Sequence, residues 1–136
     1  MVISETVKKC LQTEGRANIL ATSDSAGKVN VAMFGSYHLM DDSSVLVMLS
    51  DNRSYQNLKV NPHAACMVML HGKTGMATEG CRLYMKVRSI EDEGQMWNDI
   101  REKIRVRIGS AADILKHLVM FDIVDVRPIL DFGQGI

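Results

Sequence analysis

The residues best suited to chemistry are Asn52, Arg53 and Ser54, in the run Ser50-Asp51-Asn52-Arg53-Ser54 followed by YQNLKVNP. A helix beginning here would expose unpaired backbone N–H groups and the positive end of its dipole, a combination that attracts anions. Arg53 adds a fixed cation whose planar fork of donors suits a phosphate. Ser54 can serve as the helix cap and offer its hydroxyl. The same residues also suit a plain capped surface helix with a solvated arginine, and local sequence leaves both readings open. Elsewhere the reactive side chains are scattered. Cys10, Cys66 and Cys81 show no CxxC spacing, and His38, His63, His71 and His117 form no HxH or HxxxH pair, so no metal site is expected. Cys66 lies in the apolar run AACMVML and reads as a small core residue. No side chain announces itself as a general acid or base, and the catalytic residues stay unknown. Tyr37 and His38 are the nearest candidates, although a strand tyrosine is more often packing.

Composition narrows the function classes. A chain of 136 residues suits one domain, 1–136, with a substantial core. Lysine plus arginine and aspartate plus glutamate both total 16, so there is no basic field for nucleic acid or an acidic membrane. No run approaches the roughly 18 apolar residues of a membrane span, and the N-terminus has no signal-peptide pattern. The expected location is therefore the cytoplasm. Ten methionines against seven aromatic residues (three Phe, one Trp, three Tyr) suggest an adaptable core or a soft apolar pocket.

The elements that must position Arg53 follow from periodicity. Ile3, Val7, Cys10 and Leu11 fall on one helical face, with Ser4 as cap and Gly15 as stop. ANILATS reads as a strand, DSAGK as a turn, and a second strand runs from Lys28 to Met40. On it Val29, Val31, Met33 and Tyr37 face one way, and Asn30, Ala32, Phe34 and Ser36 the other. VLVMLS is apolar throughout and predicts a central strand covered on both faces. The helix SYQNLKVN is closed by Pro62, and the strand AACMVML follows. HGKTGMATEG reads as a loop, either a binding element or a simple connection. CRLYMKVRS alternates, with Cys81, Leu83, Met85 and Val87 facing in. Residues 91–108 form a helical stripe of Trp97, Ile100, Ile104 and Ile108. Ser110 with Asp113 predicts a further short capped helix to about His117, and LVMFDIVDV is the last strand. About six strands joined by short turns are best closed into a small barrel, which removes sticky edges. Neither βαβ alternation nor a GxGxxG run is present, which argues against a doubly wound nucleotide fold.

The order of these pieces resembles the pyridoxamine 5′-phosphate oxidase-like FMN-binding split barrels. ILATSDSAGKVNVAMFGSY, NRSYQNLKVNPHAACMVM and LYMKVRSIEDEGQMWNDI carry the likeness, which spans roughly residues 3–126. It implies a mainly β, six-stranded antiparallel split barrel with flanking helices, and a homodimer with two FMN sites at the subunit interface. Carried over by position, Asn30, Val31, Ala32 and Met33 would line the flavin. Ser50, Asn52, Arg53 and Ser54 would hold the phosphate, with Asn57 nearby. The 72–80 loop and the Met-rich strands would supply an apolar floor and the second subunit's wall. Arg53 is the one clear basic residue at the expected phosphate site, with Lys59 and Lys73 as possible helpers. No residue set would position pyridoxamine phosphate, so an oxidase of that substrate is not expected. The implied function is an FMN-dependent oxidoreductase or electron carrier acting on a small molecule or a redox protein. The alternatives are a non-catalytic flavin- or haem-binding storage or sensor barrel, and a deazaflavin-dependent reductase.

Overall fold

A computed structural model describes residues 1–35 and 37–135. Its elements are α1 (Glu5–Gln12), β1 (Ala17–Ser23), β2 (Val29–Phe34), β3 (His38–Asp41), β4 (Ser44–Leu49), α2 (Arg53–Val60), β5 (His63–Met69), β6 (Gly80–Glu91), α3 (Gln95–Ile108) and β7 (His117–Pro128). Short 3₁₀ turns occupy Gly75–Ala77 and Gly109–Ile114. All strand pairs are antiparallel, in the order β2-β1-β5-β6-β7-β4-β3.

Two expectations need correction. The sheet has seven strands rather than six, and β2 and β3 stand at its two edges, so it is not closed by strand pairing. The extra strand arises because the expected Lys28–Met40 strand is broken after Phe34. Its first half pairs with β1 and its second half with β4, at opposite ends of the sheet. Tyr37, expected to share a face with Val29, Val31 and Met33, is buried at 3% exposure while those three are open. Ser36, expected on the opposite face, lies outside the described residues.

Periodicity placed most of the rest. Ser4 caps α1 by accepting from the Val7 N–H at 3.3 Å, and Val7, Cys10 and Leu11 are buried. The helix packs on β6 and on edge strand β3, and the Ile3 N–H donates to the Asp42 carbonyl at 2.7 Å. Every residue of β4 is buried. Val45, Val47 and Leu49 join the main core with Val119, Phe121 and Ile123, while Leu46 and Met48 join Leu118, Met120 and Ile100 beneath α3. That arrangement explains why the strand carries no polar alternation. The 71–79 segment joins β5 to β6 through the Gly75–Ala77 turn, and the Leu70 N–H donates to the Glu79 carbonyl at 2.8 Å. Gly80 follows it at φ 153°, where an added Cβ would lie 1.9 Å from the Val68 carbonyl oxygen. No larger residue fits there without backbone movement.

The late third differs in detail. α3 begins at Gln95, because Glu91 still belongs to β6. The expected capping box does not form. Asp113 lies in a 3₁₀ turn that has no side-chain cap, and its carboxylate pairs with Arg105 at 2.6 Å. His117 starts β7 instead of ending a helix.

His38, on β3, is held neutral well into the acid range, with its pKa lowered from 6.5 to about 4. Burial is the main cause, followed by the cations of Lys103, Arg107 and Arg16. The unfolded chain takes up this proton near the ordinary value and the folded chain only near pH 4. The contribution to stability is therefore complete above about pH 6.5 and is lost as pH falls to about 4. After discounting for partial solvent screening it amounts to about 1–2 kcal/mol. The slope of unfolding free energy against pH over this window should flatten in His38→Gln, and an unchanged slope would refute the assignment.

Candidate functional site

The site is built where β4 ends. The Asn52 N–H donates to the Ser50 carbonyl at 2.8 Å, turning the chain from β4 into α2. Asn52, rather than Ser54, is the N-cap. Its side-chain oxygen accepts from the Tyr55 N–H at 2.9 Å, and its backbone is extended. Ser54 is the second residue of the helix and is buried at 2% exposure. The cap falls on Asn52 because an N-cap must be non-helical, and Arg53 is already helical.

A second layer ties α2 to the β1–β2 hairpin. The Asn57 side-chain amide donates to Thr22 Oγ1 at 3.0 Å within the protein, and the Asn30 amide reaches Ser54 Oγ at 3.5 Å. Asn30, Ser54 and Asn57, assigned together by resemblance, are therefore neighbours. Ala32 shares the half-buried face of β2 with Asn30, whereas Val31 and Met33 point to the opposite, open face with Val29.

Between the hairpin turn and the start of α2 is a cleft of about 540 Å³ lined by Asp24, Lys28, Val29, Asn52, Arg53 and Asn57, among others. Arg53 and Lys28 both line it, and among the described residues neither is ion-paired with an acid. Lys28 is the second cation that sequence reasoning missed. Lys59 instead lies over the Tyr55 ring at 4.8 Å, and Lys73 pairs with Glu79 at 3.5 Å. The signal for Lys28 was its place at the end of the DSAGK turn, but only the hairpin's fold onto α2 brings it to Arg53.

The two acids of the cleft are engaged internally. Asp24 Oδ1 accepts from the Ala26 and Lys28 N–H groups, both at 2.9 Å. Asp51 lies against His117 Nε2 at 2.6 Å and Lys116 Nζ at 3.0 Å. These contacts, the His117 hydrogen bond first, hold the Asp51 carboxyl below its ordinary range. His117 Nδ1 lies 2.7 Å from Asp92 Oδ1, and its ring stacks on Tyr55 with centroids 3.5 Å apart and planes 1° from parallel. Sequence reasoning did not find this cluster, because Asp51 and Tyr55, Asp92, and His117 come from three separate segments.

A site of this make-up can hold an anion. Two cations, the unpaired N–H groups of the first α2 turn and the side-chain amides beside them provide donors on one wall. Among the described residues no group of three or more His, Cys, Asp or Glu is placed to hold a metal ion. No helix of those residues is long and apolar enough to cross a membrane.

Comparison with solved structures identifies the architecture. The chain superposes on an FMN-binding protein from Syntrophomonas wolfei subsp. wolfei with a TM-score of 0.80 and 21% identity, over 93% of this chain and 85% of that one. HupZ from Group A Streptococcus gives 0.78 and 18% over 98% of both chains. HutZ, the haem storage protein of Vibrio cholerae, gives 0.67 and 21% over 99% of this chain and 98% of its own. An F420 reductase, proposed pyridoxamine 5′-phosphate oxidases and General Stress Protein 26 from Bacillus anthracis share the fold. No protein-family model matches the chain, and no curated protein sequence does. The fold is that of the pyridoxamine 5′-phosphate oxidase-like split barrels.

Removing the Asn57 amide leaves Thr22 Oγ1 without its buried partner. Asn57→Ala should cost about 1–3 kcal/mol in denaturant unfolding. In Thr22→Val the same substitution should cost less, because the bond is already absent. Equal costs in both backgrounds would show that the bond does not couple hairpin to helix.

Proposed function

We propose that this chain is an FMN-binding protein working as a flavin-dependent oxidoreductase or electron carrier, with the flavin phosphate in the cleft at the start of α2. The observation that carries the reading is the pair Arg53 and Lys28, two cations without acidic partners among the described residues, on one wall beside a helix N-terminus. Asp24 and Asp51 also line the cleft, but neither is ion-paired with Arg53 or Lys28: Asp24 accepts from backbone N–H groups, and Asp51 lies against Lys116 and His117. The S. wolfei neighbour is an FMN-binding protein on the same scaffold. One scaffold hosts several ligands, as HutZ and the F420 reductase illustrate, so the support for a phosphate-bearing cofactor comes from this cleft rather than from the fold.

The residues fit the group. Arg53 would grip the phosphate with its planar fork, Lys28 would add a second positive charge, and Asn52 would fix the helix start. Asn57 and Asn30 would hold the helix against the hairpin, so that the donors are in place before the ligand arrives. The β2 backbone from Asn30 to Met33, which continues from Val29 at the cleft, would offer polar groups for the flavin's pyrimidine edge. When bound, FMN would supply the redox chemistry, and the protein its binding, orientation and polarity.

The open face of β2 supports a second copy as partner. Val29, Val31 and Met33 are 76%, 67% and 72% exposed, three apolar side chains in a row on an edge strand. Such an edge is open to pairing, and a C2 dimer would cover it while completing the wall opposite Arg53. A cytoplasmic location is part of the same reading.

Titration with FMN, followed by flavin fluorescence, should give binding at least about tenfold weaker for Arg53→Ala. That corresponds to one charge-assisted contact of about 1.5–3 kcal/mol. Unchanged affinity would remove the phosphate assignment. Bleaching of bound flavin by NAD(P)H supports an oxidoreductase, whereas stable yellow colour supports a carrier. A strong near-ultraviolet band on adding haem, without FMN binding, would favour a storage protein like HutZ.

Val31→Asp places a charge on the proposed dimer face without touching the core. Sedimentation should show a dimer for the parent chain and a monomer for the variant, with weaker FMN binding. A parent chain that sediments as a monomer would defeat the shared-site reading.

A further inference from the structure

On the face of the sheet where α1 lies, a second cleft of about 520 Å³ is walled by Val7, Leu70, Pro128, Ile129 and Leu130. Cys10 and Cys81 also line it. They come from α1 and the start of β6, 71 positions apart in the chain, and their sulfur atoms are 3.6 Å apart. Both are free thiols, at 7% and 1% exposure. Cys66, by contrast, is absent from the cleft's lining, and burial pushes its thiol up to about 12.

We propose that Cys10 and Cys81 form a peroxide-reactive dithiol at the floor of this apolar cleft, and that the cleft admits an organic hydroperoxide. Three observations converge. The first is the sulfur–sulfur approach, close enough that side-chain rotation can bring the atoms toward the roughly 2.05 Å of a disulfide. The second is the cleft, in which Val7, Leu70, Pro128, Ile129 and Leu130 form an aliphatic patch for the hydrocarbon part of a hydroperoxide, alongside polar residues that include Lys9, Thr13 and Glu79. The third is the thiol–thiol contact, in which the Cys81 S–H can donate to the sulfur of Cys10, the more exposed of the two at 7% against 1%. That bond favours the Cys10 thiolate and lowers its pKa, with Arg16 adding to the effect, while the Cys81 thiol is raised. Cys10 is therefore the attacking sulfur and Cys81 the resolving one.

The reaction balances without any further reagent. Cys10 thiolate attacks the terminal peroxide oxygen, an S–O bond forms, the O–O bond breaks, and the alcohol leaves with a proton. The resulting sulfenic acid is attacked by Cys81 sulfur, an S–S bond forms, and water leaves. Two thiols are oxidised by two electrons in total, and one hydroperoxide is reduced to alcohol and water. The product joins α1 covalently to β6.

The test uses the reduced, full-length protein treated with one equivalent of cumene hydroperoxide or hydrogen peroxide. Non-reducing peptide mapping should find a Cys10–Cys81 cross-link, loss of two hydrogens in the intact mass, and an unmodified Cys66. Cumene hydroperoxide should react at least about tenfold faster than hydrogen peroxide, and equal rates would overturn the cleft as an organic-hydroperoxide site. In Cys81→Ala, dimedone should trap a sulfenic acid on Cys10. In Cys10→Ala the reaction should slow at least about tenfold, because the remaining thiol is the raised one. Absence of the cross-link in the parent chain, or oxidation of Cys66 at the same rate, would overturn the proposal without recourse to either variant.

Discussion

The pairing of β4 with β7 is the constraint on which the rest of the structure depends. Both strands are covered on two faces, by the main core on one side and by α3 on the other. A strand buried this way cannot slip by one residue without exchanging its two apolar faces. The register Leu49 opposite His117 is therefore fixed, and with it the position of everything that follows Leu49. The Lys116 N–H donates to the Leu49 carbonyl at 3.0 Å, sealing the end of the ladder. Ser50 turns the chain, Asn52 caps the helix, and Arg53 arrives at its cleft as a geometric consequence of core packing.

Polar contacts then refine what the core has placed. The Asp51–His117–Asp92 chain joins the end of β4, the start of β7 and the turn after β6, and Tyr55 stacks on its centre from α2. His117 is buried but Asp51 and Asp92 are exposed, so each contact contributes less than a core residue would. Their value lies in direction: they draw Asp51 toward His117 and Lys116 and leave Arg53 and Lys28 as the cations facing the cleft. On the other flank, Asn57 to Thr22 and Asn30 to Ser54 hold the hairpin and the helix at one spacing. Two walls, each braced separately, define one concave surface.

The edges of the sheet tell a different story. β3 is short, and α1 packs against it, while β2 carries three exposed apolar residues on its outer face. An edge of that kind is a liability unless something covers it. Proteins of this size manage edges by barrel closure, by helices or by a second copy, and here α1 serves one edge only. Breaking the second strand after Phe34 is what separates the two edges in the first place, since it sends β2 and β3 to opposite ends of the sheet.

Local and periodic signals made much of this legible. The apolar run of β4, the alternation in β6, the face of α1 with its Ser4 cap, and the placing of a helix start beside Arg53 all follow from rules that act within about ten residues. A one-sided or two-sided burial pattern is written directly into side-chain order, so the sequence by itself determined that β4 is covered on both faces and which faces of α1 and β6 point inward. What it could not contain was partnership between distant segments. The break after Phe34 falls at Gly35, but a lone glycine does not by itself end a strand, and the two halves pair with different neighbours. Lys28 beside Arg53, His117 between two carboxylates, and Cys10 against Cys81 are all products of chain closure across tens of residues. Only the packed tertiary structure sets those distances, because they depend on sheet order and strand register rather than on any spacing along the chain.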